Sequence, residues 1–379
     1  MEKMSPRERV LTALNHKEPD RVPLDLGGRV TTITKVPYEE LKKYLGITSE
    51  TKLFIRSAVD PPEELLQRFS IDTRYVRLKP PKNFKIHLDP DNSYLDEWGV
   101  RWRRPESSLY WDPVDPPLRN ATLKDLETYP WPNPDDPGRT EGLREEVKRL
   151  REGTDYAIIA DVPWWGMFEW SWVALRGPQF LMDMVIDKPF ARALIDKLLD
   201  LYMKLYGNYL DAVGDYIDVI FVMDDLGGEN GPLISPELYR EMIKPAHKKL
   251  WGSIKSRTKA RLFLHSCGSI APFIHDLADV GIDILNPVQV AAKGMDSKKL
   301  KTDFGNRVTF WGGIDTQRVL PMGSPQDVEA EVKKRIRDFA PGGGYILTAV
   351  HNIQAGVPPE NIVMMYDAAK KYGKYPIQL

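Results

Sequence analysis

From about residue 150 onward, short apolar runs recur between amphipathic segments, and this alternation narrows the fold more than anything else in the chain. The runs are Tyr156–Ala160, Val219–Met223, Leu262–Leu264, Ile282–Leu285, Val308–Trp311 and Tyr345–Ala349. They are apolar at consecutive positions, the pattern of strands buried on both faces of a parallel sheet. Between them, Pro236–Ser256, Ile270–Val280 and Pro325–Phe339 have the spacing of amphipathic helices. Strand and helix in alternation require a sheet covered by helices. Arg21–Leu26 and Ile71–Leu78 are two earlier strand candidates and bring the set to about eight, the number of a (β/α)₈ TIM barrel. An open doubly wound sheet is the second solution, but no G-x-G-x-x-G turn follows the first strand.

The N-terminal extension before the barrel carries a predicted helix over 5–16, with Ser5 as its cap and Pro6 at its first position. Residues 80–140 interrupt the rhythm as an irregular insertion or lid. Its stretch from Pro105 to Pro137 holds too many prolines for the interior of a helix or sheet. Tyr110, Trp111, Tyr129 and Trp131 would be costly to leave in water, so this passage is expected to be ordered. The whole of 1–379 reads as one barrel domain.

A net charge of −1 argues against the basic surface that nucleic acid or an anionic membrane would need. No apolar run approaches the length of a membrane span, and the first residues lack the apolar core of a signal peptide. With one cysteine in 379 residues, these features predict a cytoplasmic protein, most often an enzyme.

In a barrel the C-terminal strand tips converge on one face. Read in order, the tips here are Asp25–Gly28, Asp161, Asp224-Asp225, His265-Ser266-Cys267, Asn286, Gly312–Asp315 and His351-Asn352. The solitary Cys267 cannot form a disulfide, which leaves packing, nucleophilic chemistry or metal binding. His265 and Cys267 on one tip and His351 on another make a candidate set for Zn²⁺, which takes imidazole nitrogen at about 2.0–2.1 Å and thiolate at about 2.3 Å. Three protein ligands with a fourth position open is the arrangement of a catalytic zinc site. His247 and His275 compete as ligands, but both fall in mid-helix and are expected to face away. Asp225 and Asp161 are candidates for a catalytic or orienting role. Asp224, Asn286 and Gly28 are candidates for binding substrate, although Asp224 and Asp225 also suit helix capping. Trp164, Trp165, Phe168 and Trp170 follow Asp161 directly and would line the mouth, a wall suited to a flat apolar ligand.

Several stretches resemble the uroporphyrinogen decarboxylase superfamily. They are Pro6–Val10, Asn15–Pro23, Leu233–Tyr239, Trp311–Asp315 and Pro358–Asn361, in the same order along nearly the whole chain. The resemblance implies a (β/α)₈ barrel. The metal-free decarboxylase branch carries an N-terminal arginine-bearing motif, where Asp25–Thr31 has a single Arg. The branch of corrinoid-dependent methyltransferases is the more similar. It places zinc on a His-x-Cys pair and on a later Cys ten residues before the Asn of a Pro-x-Glu-Asn element. His265 and Cys267 match the pair, and His351 lies ten residues before Asn361. A histidine therefore stands where that branch has its second thiolate, which leaves the site one unit more positive. Such a set suits an oxygen leaving group better than activation of a thiol such as coenzyme M. The resemblance thus implies demethylation of a small methoxylated donor, aromatic if the Trp-rich wall is its pocket. No Asp-x-His-x-x-Gly corrinoid motif is present, so the corrinoid would arrive on a partner protein. A homodimer is compatible with the family.

Overall fold

The computed structural model describes residues 3–105, 108 and 111–379. Tyr110 lies outside them. A hairpin of β1 (Lys52–Ile55) and β2 (Ala58–Asp60) precedes β3 (Thr73–Val76), the first regular strand of the main sheet. The insertion follows and is more regular than expected. Its strands β4 (Ser93–Leu95), β5 (Arg101–Arg103) and β6 (Asp112–Asp115) form an antiparallel sheet, and a short helix spans Leu123–Thr128. The prolines sit where the structure tolerates them: Pro113 is on the edge strand β6, Pro137 opens a 3-10 turn, and the others are in connections. Trp102 on β5 is fully buried and Trp98 nearly so, which ties the insertion to the body of the molecule.

The main sheet continues through β7 (Ala157–Ala160), β8 (Val219–Met223), β9 (Arg261–His265), β10 (Ile284–Asn286), β11 (Thr309–Ile314) and β12 (Tyr345–Ala349). All neighbours are parallel, in the order β12-β11-β10-β9-β8-β7-β3. The expected strand at 21–26 is reduced to a single parallel bridge from Leu24 to Leu347 on β12. Pro23 has no N–H to donate to a ladder. The segment still spans the gap. Leu347 N–H donates to Pro23 O, Asp25 N–H to Leu347 O, and Asp72 N–H, next to β3, donates to Leu24 O. The result is an α/β barrel of the TIM type whose eighth side is an extended segment.

Two apolar layers hold it. Ile159, Phe221, Phe263, Trp311 and Ile346 fill the barrel, together with Val10, Ala13 and Leu14 of the first helix. That helix, Pro6–Leu14, has Ser5 and Glu8 in a reciprocal capping box. It plugs the N-terminal end of the barrel: Arg7 N–H donates to Asp155 O just before β7, and Gly344 N–H just before β12 donates to Ala13 O. The larger layer lies between sheet and helices, among them the 26-residue helix Lys188–Val213, which the apolar runs did not single out. The helix expected over 236–256 is two, Pro236–Met242 and Lys244–Arg257, broken at Ile243 before Pro245. No helix among the described residues is long and apolar enough to cross a membrane.

Candidate metal centre

β9 ends on His265, and the chain then turns so that Cys267 comes back beside it. His265 Nε2 and Cys267 Sγ are 3.3 Å apart. Gly268 makes the turn possible. Its φ is +82°, and a Cβ there would sit 2.4 Å from the backbone of Gly227. Gly268→Ala is therefore expected to displace Cys267 and to lower the thermal midpoint, through a loss of stability on the order of 1–3 kcal/mol for the strained backbone alone. A variant with an unchanged melting curve would show that the loop relaxes freely.

His351, two residues past β12, completes the group. One donor atom each from His265, Cys267 and His351 lies within 4.8 Å of the others. A tetrahedral zinc ion separates its ligand atoms by roughly 3.3–3.8 Å at ordinary bond lengths, so small side-chain rotations would close the set on an ion. The chemistry of the donors also fits a dication. Burial pushes both imidazoles down to about 4, aided at His351 by the charge of His265, so each is neutral with a free lone pair. Burial, then the carboxylates of Asp225, Glu169 and Glu229, push the Cys267 thiol well up. A thiolate in that place requires a cation beside it.

Surrounding groups fix these three side chains. Asn286, expected at the substrate, is fully buried and both ends of its carboxamide are engaged. Its Oδ1 lies 2.5 Å from His265 Nδ1, and its Nδ2 donates to Trp311 O. Asn286 is thereby an orienting group: as acceptor it holds the proton on Nδ1 and leaves Nε2 open toward Cys267. Asp225 accepts from the backbone N–H of Cys267 at 2.7 Å and comes within 3.9 Å of His265 Nε2. Burial pushes its carboxyl up to about 6. Of the acids expected at the site, it is the one that lines the same cavity as the two histidines.

The other two expected acids lie elsewhere. Asp224 caps the helix Met167–Trp170, accepting from Phe168 N–H and Glu169 N–H, and pairs with His247 Nε2 at 2.8 Å. His247 thus faces the strand ends rather than away from them, but its partner is Asp224. Gly166 permits this, since a Cβ would come within 2.3 Å of the Asp224 carboxyl. His275 packs edge-on against Phe304, apart from the cluster. Asp161 accepts from the backbone N–H groups of Arg29 and Val162 and from Arg77 Nε, so its oxygens serve the loop after Leu26. Gly28 lies against Tyr75, whose ring would meet a Cβ at 2.7 Å, and is part of that packing rather than of the cavity.

The aromatic stretch divides. Trp165 lines the cavity with the histidines, together with Trp111 from the insertion. Trp164 and Trp170 line an adjoining cavity and pack on Trp98. Phe168 is fully buried against Phe180, a core position. Sequence reasoning missed Glu169 in the middle of this stretch. It lines the metal-side cavity, is nearly inaccessible, and has one carboxyl oxygen with no hydrogen-bond partner among the described residues. Burial, then Asp225 and Asp224, push its carboxyl well above the usual carboxylate range. The signal was present: it is the single acid among nine residues that include four tryptophans, Trp164–Trp172.

Comparison with known proteins agrees with this architecture. The methylcobamide:CoM methyltransferase MtaA of Methanosarcina barkeri is 26% identical over 244 residues, which span 62% of this chain and 64% of that one. A uroporphyrinogen decarboxylase of Pseudoalteromonas atlantica is 22% identical over 383 aligned positions, 96% of each. A solved methyltransferase from Methanosarcina mazei superimposes with a TM-score of 0.64 at 20% identity, covering 98% of this chain and 99% of its own, and so shares the fold. The uroporphyrinogen decarboxylase (URO-D) family model matches residues 113–372, more than half of the sequence, and the chain belongs to that family.

Proposed function

We propose that this chain is a methyltransferase that removes the methyl group of a small methoxylated aromatic compound and passes it to the corrinoid of a separate protein, with Zn²⁺ held by His265, Cys267 and His351. The donor set carries the reading. Two neutral imidazoles and one thiolate leave a bound zinc more positive than two thiolates would. When bound, such an ion supplies Lewis acidity toward an oxygen leaving group.

The protein's own residues supply the rest. Trp165 and Trp111 give the cavity flat apolar walls for an aromatic ring. The O–CH₃ bond breaks with its electron pair remaining on oxygen as the methyl group passes to the corrinoid, and Glu169, which lines the cavity with one oxygen unpartnered among the described residues, is placed to give that oxygen a proton. Asp225 holds the Cys267 backbone and, with a carboxyl near 6, accepts or returns a proton beside Glu169. Asp161 and Asp224 act as positioning residues through the loops they anchor.

The direct test is metal analysis of the purified protein, with an assay for transfer of methyl from 3-methoxyphenol to a purified Co(I) corrinoid protein. Stoichiometric zinc and zinc-dependent transfer are expected; full activity in a metal-free preparation would overturn the reading. A second reading, methylation of a small thiol from a methylated corrinoid, is favoured by the likeness to the methylcobamide:CoM methyltransferase. Running the assay in both methyl directions separates the two.

The Asn286–His265 bond makes a sharper prediction. Asn286→Ala should weaken zinc binding about 10–100-fold, the usual cost of losing an outer-shell partner. Competition with a chromophoric chelator measures this, and unchanged affinity would remove Asn286 from the orienting role.

A further inference from the structure

β10 ends in a segment, Asn286-Pro287-Val288-Gln289, that grips the turn from His265 to Gly268 at three points. Asn286 Oδ1 lies 2.5 Å from His265 Nδ1, and the Asn286 main-chain carbonyl accepts from Ser266 N–H at 2.8 Å. Gln289 Oε1 accepts from Gly268 N–H at 2.8 Å. One carboxamide thus holds the imidazole ahead of Cys267, and the other holds the peptide that follows it. With Asp225 on the Cys267 N–H at 2.7 Å, the cysteine is fixed from both sides.

An extended chain does not offer such a pair. Residues three apart on a strand point to opposite faces, so a straight continuation of β10 would turn Gln289 away from the side that Asn286 serves. The chain reverses at Val288, whose φ is +55° although its side chain is β-branched and fully buried. That region is an outlier for a β-branched residue, and it persists only where the surroundings over-determine it. Here β11 does so. Gly313 N–H donates to Pro287 O at 3.0 Å, and at Gly312 a Cβ would come within 2.1 Å of that same oxygen. The close contact holds the segment in the conformation that brings both carboxamides to one side.

Gln289 is itself held. It is 8% exposed, and its Nε2 donates to Glu229 Oε1 at 2.6 Å, an oxygen that also accepts from Gln317 Nε2 at 2.7 Å. A backbone donor at one end and a carboxylate at the other leave a single orientation for the carboxamide. Lys293 N–H donates to the Glu229 carbonyl at 2.9 Å and ties the loops after β8 and β10 a second time. Glu229, Gln289 and Gln317 wall a cavity of about 280 Å³ together with Cys267 and His351, so the network stands directly beside the donor atoms.

We propose that Gln289 is a positioning residue of the metal centre, fixing the Cys267 turn through Gly268 N–H as Asn286 fixes His265, and that the left-handed Val288 joins the two in one clamp. The clamp requires the metal-binding part of the reading above and is independent of the reaction.

Metal-free full-length protein is titrated with Co²⁺, whose thiolate-to-metal charge-transfer absorption reports whether Cys267 reaches the ion. A purely structural role for Gln289 would leave that band unchanged in folded protein. Gln289→Met keeps the length of the side chain and removes its acceptor. It should weaken Co²⁺ binding about 10–100-fold and lower the band per bound ion. Gln289→Glu combined with Glu229→Gln keeps an acceptor for Gly268 N–H and a hydrogen bond between the two positions at the same total charge, and should recover most of both. Folded Gln289→Met protein with wild-type affinity and a full band overturns the clamp. If Gln289→Met does not fold, Glu229→Ala decides, because that side chain is exposed. It should show the same defect at smaller size, and an unchanged titration overturns the clamp. Wild-type protein that takes up no Co²⁺ overturns both the clamp and the metal centre. Metal binding with the expected dependence on Gln289, in a protein whose zinc form transfers no methyl group, upholds the clamp and removes the demethylase reading.

Discussion

His351→Ala should lose zinc and methyl transfer together. The residue supplies one of three donor atoms within 4.8 Å, and it arrives from β12, a different strand from the one that carries His265 and Cys267. Without it, only a two-residue chelate from one strand tip remains. Losing a ligand outright should exceed the cost of losing an outer-shell partner, so affinity is expected to fall by more than about 100-fold. Zinc content after dialysis against a weak chelator should drop from one per chain to a small fraction. Methyl transfer should fall in proportion to zinc, and His351→Cys should recover metal. That recovery matters because it separates a ligand from a structural histidine: a thiol replaces the donor atom but not the shape or stacking of the imidazole, whose ring lies 5.6 Å from that of His265. A His351→Ala protein that retains both zinc and turnover would remove the residue from the site.

The parts of this centre that could be read in the sequence are those a strand periodicity can place. His265, Cys267 and His351 each follow an apolar run at its C-terminal end, and in a parallel barrel such ends meet. Partnerships were not legible, because they depend on side-chain direction across elements far apart in the chain. Asn286 stands at a strand tip like a substrate ligand, yet β10 is in register with β9 so that Asn286 lies opposite His265. Asp224 and Asp225 are adjacent, and successive residues at a strand end point to opposite sides. One therefore caps a helix while the other faces the cavity. Glu169 was hidden for a different reason: its neighbours suggested a hydrophobic wall, and only the fold turns this one acid inward. The tail motif has a similar lesson. Asn361, whose spacing from His351 helped to align the ligands, donates to Leu320 O and Gly323 O and so serves the helix packing outside the barrel.

The N-terminal motif leads to the largest expected effect on stability. Arg9 and Arg21, which read as part of an opening signature, converge on Asp72, which is inaccessible to solvent, while Asp20 of the same stretch pairs with Arg9. Asp72 accepts from Arg9 Nη1 at 2.6 Å, from both terminal nitrogens of Arg21 at 2.8 and 2.9 Å, and from the backbone N–H of Leu24 at 2.8 Å. Leu24 is the one residue of its segment that bridges to β12, so this carboxylate joins the two edges where the eighth strand is missing its ladder. Asp72→Ala would leave Arg9, buried to 4% exposure, with Asp20 as its one carboxylate partner, and would free the Leu24 N–H. Removing one partner of a buried pair costs about 3–5 kcal/mol, a large share of the stability of an ordinary domain. Urea unfolding followed by tryptophan fluorescence should show the first transition moving to markedly lower denaturant. Asp367→Ala is the matched control. Asp367 pairs with Arg68 through two hydrogen bonds, but both side chains are about two-fifths exposed. Solvent screening limits such a pair to roughly 0–1 kcal/mol. If the two variants unfold alike, Asp72 does not hold the barrel closed, and the bridge at Leu24 must be sustained by the packing of Val22 and Leu24 alone.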